Sequence, residues 1–181
     1  ADKNMSRHGF ELKTNDQIIL MREAGLATAA ALKAVRAAIK PGVSTLELDK
    51  IADDTINSLG GHSNFQLVPG YSHTICASIN DEVVHGIPAA NRILQAGDIV
   101  SIDCGAEIGE WNGDSAITVI VPGSSDSAVL TSRQQLSEVT EGSLWAGIAA
   151  LAKAKHLNQV GEAIQDYIEA AAAKNGADYG I

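Results

Sequence analysis

Two acids and one histidine carry most of the chemistry this sequence offers. Asp103 lies in DIVSIDCGAEI and Asp114 opens DSAITVIV, two strand-like segments separated by a glycine-containing turn. A two-residue turn at Ile108–Gly109 would make the two acids direct cross-strand neighbours, with Cβ atoms about 5 Å apart. Like charges at that separation are destabilising unless something offsets them. Three resolutions are open: one acid holds a proton, a bulge separates the pair, or a divalent cation binds both, as in two-metal hydrolases. Ser101 and Gly105 share the face of Asp103, while Val100, Ile102 and Cys104 point to the opposite side and read as core. Spacing alone favours the plainer reading, because two acids eleven residues apart on a hairpin usually describe an ordinary solvated face. His85, in VVHGIP, reads first as a packed or solvent-facing residue and only second as a catalyst. If Asn80–Asp81 is a tight turn between HTICASI and EVVHGI, His85 stands opposite Cys76 on one face.

The rest of the chain bounds what these residues can serve. At 181 residues there is room for one ordinary core, and hydrophobic residues make up 45 %, a globular composition. The formal charge of −9 argues against a broad nucleic-acid footprint, which needs clustered Lys and Arg. Seven of the 13 Lys and Arg do fall in the first 40 residues, so a local basic patch remains open. The two cysteines, Cys76 and Cys104, have neither metal-type nor redox-type spacing, which favours a reducing compartment over a disulfide framework. ADKNMSRHGF lacks the apolar run of a signal peptide, and no stretch reaches the ~20 apolar residues of a membrane span. The expectation is a cytoplasmic chain with no membrane contact.

Helix signals surround the strands. Thr14 with Gln17 and Ser44 with Glu47 are capping-box patterns that open two helices, stopped at Pro41–Gly42 and Gly60–Gly61. After Pro122–Gly123 the helical period returns. Ser132 with Gln135 predicts a third start, running to about Lys155, and a last helix reaches Lys174 before Asn175–Gly176. The helix pairs echo each other at an offset of 112 positions, where Leu32 meets Leu144, Asp54 meets Asp166 and Ile56 meets Ile168. The first pair is followed by strands and the second only by ADYGI, so a duplicated unit is expected to be incomplete in its second half.

NDEVVHGIP, AGDIVSIDCG and WNGDSAITVIV, in that order and spacing, resemble the type I methionine aminopeptidases. A weaker similarity, including AAIKPGVSTLELDKIA, extends from about Thr14 onward. The resemblance implies an α/β (α+β) pita-bread fold: a curved antiparallel sheet with helices on its outer face, in two pseudo-two-fold halves. A tail would occupy residues 1–13 and a catalytic domain 14–181, its first half complete and its second partial. The implied reaction is removal of the initiator methionine from nascent polypeptides. By motif match, Asp103 and Asp114 would be metal ligands, Asp114 bridging two divalent ions drawn from Co, Mn, Fe, Zn or Ni. His85 would hydrogen-bond the substrate at the scissile amide and stabilise the tetrahedral intermediate. Phe65, Tyr71 and Cys76 are candidates for lining the methionine pocket, with ordinary core packing as the competing reading.

The family completes its site with a histidine and two glutamates on strands of the second half, and this sequence reaches Ile181 before them. His8, His62, His73 and His156 read as surface or structural. Implied partners are the amino-terminal methionine of nascent peptides and, as a candidate, the ribosome surface, with no DNA, for a chain expected to be monomeric. Two rivals remain: a non-catalytic pita-bread module that binds peptides or proteins, and a proline-specific or creatine-type hydrolase on the same fold. His85, Asp103 and Asp114 together speak against the first, and VVHGIP against the second.

Overall fold

The computed structural model describes residues 12–123 and 126–180. Most of the expected amino-terminal tail therefore lies outside the described residues. Lys13, near its end, places its ammonium 5.5 Å from the centre of the Trp111 ring.

The first two helices begin where their capping boxes predict. Helix α1, Asn15–Ala38, is capped by Thr14, whose hydroxyl accepts from the Gln17 amide at 3.2 Å while the Gln17 side chain accepts from the Thr14 amide at 2.8 Å. Helix α2, Thr45–Ser58, repeats the device with Ser44 and Glu47. On α1 the buried positions Ala24, Ala27, Thr28, Ala31, Leu32 and Val35 follow helical spacing, and most are small. Small side chains let this helix lie close against the sheet.

Strands β1 (His62–Ser63), β2 (Ile75–Ile79), β3 (Ile99–Ile108) and β4 (Trp111–Ile120) form one antiparallel sheet. β3 is central, with β4 along one edge and β2 and β1 along the other. Val100, Ile102, Cys104 and Ala106 alternate onto its helix-facing side and are fully buried with Leu48, Ile56 and Ile75. The alternate residues, Ser101, Asp103, Gly105 and Glu107, face away from the helices. The sheet thus buries its apolar side and leaves its polar side for other uses.

One expected strand is absent. EVVHGI does not pair as a hairpin arm: Val83 and Val84 are exposed and His85 adopts φ +58°, a left-handed conformation. Its one ladder-like contact is the Ala77 amide donating to the Gly86 carbonyl at 2.8 Å. Apolar content and β-branching suggested a strand, but the Ile79 amide of β2 donates to the Glu82 carboxylate instead of to a ladder carbonyl, and the left-handed turn at His85 ends any further pairing.

The chain divides into two compact units after Gly123. The second contains helix α3 (Ser127–Leu151) and helix α4 (Asn158–Asn175). Here the predicted start at Ser132 is corrected. Asp126 is the N-cap, its carboxylate accepting from the Ala128 and Val129 amides, and the helix ends at Leu151, short of Lys155. α4 closes at Gly176, which takes the left-handed conformation at φ +61°. Shifted by 112 positions, Asn15 falls on Ser127, the first residue of α3, and Thr45 on Leu157, one residue before α4, so the helix starts repeat as the sequence does. α3 and α4 meet through Gly142 beneath the Tyr167 ring and Gly147 against Ile164. Among the described residues this unit holds no strand, and no helix is long and apolar enough to cross a membrane.

Candidate metal centre and pocket

The β3–β4 turn sits one residue later than the sequence suggested. It is formed by Gly109 and Glu110, at φ +54° and +72°, so Ile108 pairs with Trp111. Two positive φ values in succession make the tight, twisted turn that hairpins favour, and Glu is a rare occupant of such a position. The consequence reaches the acids. Asp103 pairs with Ala116, and Asp114 with Gly105. The expected direct pairing of Asp103 with Asp114 is therefore corrected to a diagonal one. Because the shift in pairing is two residues, both remain on the same face.

Asp103 also pairs with Cys76 across the other edge of β3. Burial raises the Asp103 carboxyl above its ordinary range, and the nearby Asp114 charge raises it further. A hydrogen bond from the Cys104 amide and the charge of His85 act in the opposite sense. Asp103 therefore lies within electrostatic reach of both Asp114 and His85. Neighbouring Cys104, fully buried on the core side, has its thiol pushed up to about 12 by burial, and neither cysteine is in a disulfide.

Phe65, Val68, Tyr71, Cys76, His85, Ile87, Asp103 and Asp114 line one cavity of about 460 Å³. That volume suits a small ligand or one side chain of a larger one. All six residues singled out from the sequence are in this lining. Val68 and Ile87 were missed; an apolar loop residue carries no signal beyond proximity to a motif. Tyr71 donates its hydroxyl to the Ile75 carbonyl at 2.6 Å and lies 3.3 Å from the Cys76 sulfur. Burial, first, and the Cys76 contact raise its phenol well above the ordinary tyrosine range. It is a fixed neutral wall.

His85 is held in its unusual conformation from both sides. The Gly86 amide donates to the Ser78 hydroxyl at 3.1 Å, and the Gly86 carbonyl accepts from Ala77. A Cβ at Gly86 would collide with the Ala77 carbonyl, so only glycine allows this approach. Glu82 accepts from the Ile79 amide at 2.7 Å and pairs with Arg92, which also donates to the Ile87 carbonyl at 2.6 Å. A non-glycine residue in left-handed backbone is retained where its surroundings over-determine it, often at functional sites.

Asn64 was also missed. Its side chain leans over Gly105, donates to Asn112 at 3.0 Å, and leaves its buried Oδ1 without a hydrogen-bond partner. Of the other histidines, His62 lies 3.9 Å from Glu107 and His73 bonds Asp49; His8 lies outside the described residues.

Two same-face carboxylates fit a hard divalent cation in donor type, and their mutual repulsion is what a cation would relieve. Among the described residues no three His, Cys, Asp or Glu side chains gather closely enough to hold a metal ion. Two carboxylates by themselves would make only part of the oxygen shell such a cation takes.

A family model, metallopeptidase family M24, matches residues 19–181. The chain belongs to that family. Among curated relatives, methionine aminopeptidase 1 of Mycobacterium tuberculosis is 47 % identical over 161 residues, covering 89 % of this chain and 59 % of the relative. That of Bacillus subtilis is 41 % identical over 157 residues, covering 87 % and 61 %. Among solved structures, methionine aminopeptidase from Thermotoga maritima superposes with a TM-score of 0.77 at 34 % identity, over 87 % of this chain and 61 % of that one. The fold is the pita-bread fold of these proteins, and the chain spans about three fifths of the length of the relatives it matches.

Proposed function

We propose that these residues belong to a metal-dependent aminopeptidase that hydrolyses the first peptide bond of a polypeptide beginning with methionine. The observation that carries this reading is the cavity itself, in which Asp103, Asp114 and His85 adjoin an apolar wall of Phe65, Val68, Tyr71 and Ile87. An unbranched thioether side chain suits such a wall, and the acids and histidine would then face the backbone at its scissile amide.

Asp103 and Asp114 would hold divalent metal, drawn from Co, Mn, Fe, Zn or Ni. Such ions supply a hydroxide at neutral pH and polarise the scissile carbonyl. The chain's own residues do the remainder. His85, held by the Gly86 bonds, donates a hydrogen bond to oxygen as negative charge develops there. Phe65 and Tyr71 exclude water from the side chain and fix the first residue. The acidic net charge and the free cysteines support a cytoplasmic enzyme acting on nascent chains rather than on nucleic acid.

A chimera tests this reading, with residues 19–181 replacing the matched segment of the Mycobacterium tuberculosis relative. It should release methionine from Met-Ala-Ser with manganese or cobalt, and Asp103→Asn should abolish release. A folded chimera that binds peptide without cleaving it would favour a non-catalytic binding module instead.

A further inference from the structure

Among the described residues Asp49 is the one charged residue that the fold buries almost completely, at 8 % exposure for the whole residue. It sits on α2 beside Leu48, Ala52 and Ile56, which serve the core. An unpaired carboxylate there would be costly, and an apolar residue would suit the core better. Its hydrogen bonds show where it is directed instead. Oδ1 accepts from the Thr74 amide at 2.7 Å and the Ile75 amide at 2.9 Å, and Oδ2 lies 3.0 Å from His73 Nδ1. These groups lead into β2, of which Ile75 is the first paired residue. The His73 ring meets Tyr71 edge-on at 5.8 Å, and Tyr71 meets Phe65 at 6.4 Å. Through the Tyr71 hydroxyl the chain of contacts continues to Cys76. Three residues of the cavity wall are thereby tied to one carboxylate on a helix of the opposite layer.

We propose that Asp49 is a positioning residue for the apolar wall of the cavity, setting through His73 and Tyr71 the shape that meets a substrate's first side chain. The identity of that side chain rests on the methionine reading above; the positioning role does not.

The accessibility of the Cys76 thiol reports the wall directly. The full chain is treated with methyl methanethiosulfonate and modification of the Cys76 peptide is followed by mass spectrometry. Asp49→Ala leaves two amides and an imidazole without their acceptor, and the Cys76 rate should rise about tenfold. Asp49→Asn keeps one acceptor oxygen and should fall between. Leu48→Ala, an ordinary core cavity at the adjacent position, should stay within about twofold of the parent at a temperature where all are folded. An Asp49→Ala rate equal to that of Leu48→Ala would overturn the proposal. Should Asp49→Ala fail to fold, an Asp49→Asn rate indistinguishable from the parent would do the same. Protection of Cys76 by L-methionine amide but not L-alanine amide bears on the substrate alone; its absence would remove methionine and leave the Asp49 comparison standing.

Discussion

Asp103 and Asp114 sit diagonally across the β3–β4 ladder, on one face and two residues apart in register. The folded chain thus keeps two negative charges near each other, and burial lifts Asp103 above the ordinary carboxylate range. A group whose folded pKa is raised contributes stability that is fully present below its unfolded value, about 4, and is lost as pH rises through the raised value. Without metal, Asp103→Asn should therefore melt higher than the parent at pH 7, with the difference shrinking as pH falls toward 4. Thermal unfolding in EDTA at the two pH values checks this. A gap that does not change with pH would remove Asp103 from a charge-strained pair. With added manganese the order should narrow or reverse, because only the parent keeps both carboxylates for the ion.

Two carboxylates are an incomplete shell for an ion that takes four to six ligands. The 181-residue chain by itself should bind manganese or cobalt weakly in calorimetry and release no measurable methionine from Met-Ala-Ser. Robust turnover would show that these residues supply the remaining ligands themselves.

Much of the site was legible in the sequence because its carriers obey short-range rules. Thr14 with Gln17 and Ser44 with Glu47 fixed two helix starts through bonds spanning three residues. Alternation along β3 by itself puts Asp103 and Cys104 on opposite faces. What failed depended on backbone conformation that side-chain type does not announce. Glu110 at φ +72° moved the turn by one residue, and His85 at φ +58° turned an expected strand into a clamped loop. Ser132 and Gln135 form a valid capping pattern inside α3, but Asp126 supplies the cap about two turns earlier. Asp49 gave no signal at all, since its role exists only once Thr74 and Ile75 are folded beneath it.

The position of Asp114 depends on the glycine before it. A Cβ at Gly113 would lie 2.5 Å from the Gly25 backbone of α1, and the Gly113 carbonyl accepts from the Thr28 hydroxyl at 3.1 Å. Gly113→Ala must push the helix from the strand and should cost about 2–3 kcal/mol, read as a lower denaturant midpoint. Gly25 faces open space on its own Cβ side. Gly25→Ala should instead be neutral or stabilise by up to about 1 kcal/mol, as at an ordinary helix interior. Equal effects at the two positions would contradict the close helix–strand contact.

His85 separates stability from function. Left-handed backbone costs a residue bearing a Cβ roughly 1–2 kcal/mol, and glycine avoids that cost. His85→Ala keeps the Cβ and loses the imidazole; His85→Gly loses both. Glycine's greater freedom in the unfolded chain acts against it by about 0.4–1 kcal/mol, which the relieved strain should match or exceed. His85→Gly should therefore melt at or above His85→Ala, the reverse of the order at an ordinary loop position. In the chimera both should lose turnover while retaining metal content, because neither carboxylate has moved. A His85→Gly variant melting clearly below His85→Ala would show that the clamp of Gly86, Glu82 and Arg92 does not hold residue 85 in left-handed backbone. Full turnover by either variant would take the imidazole out of the reaction.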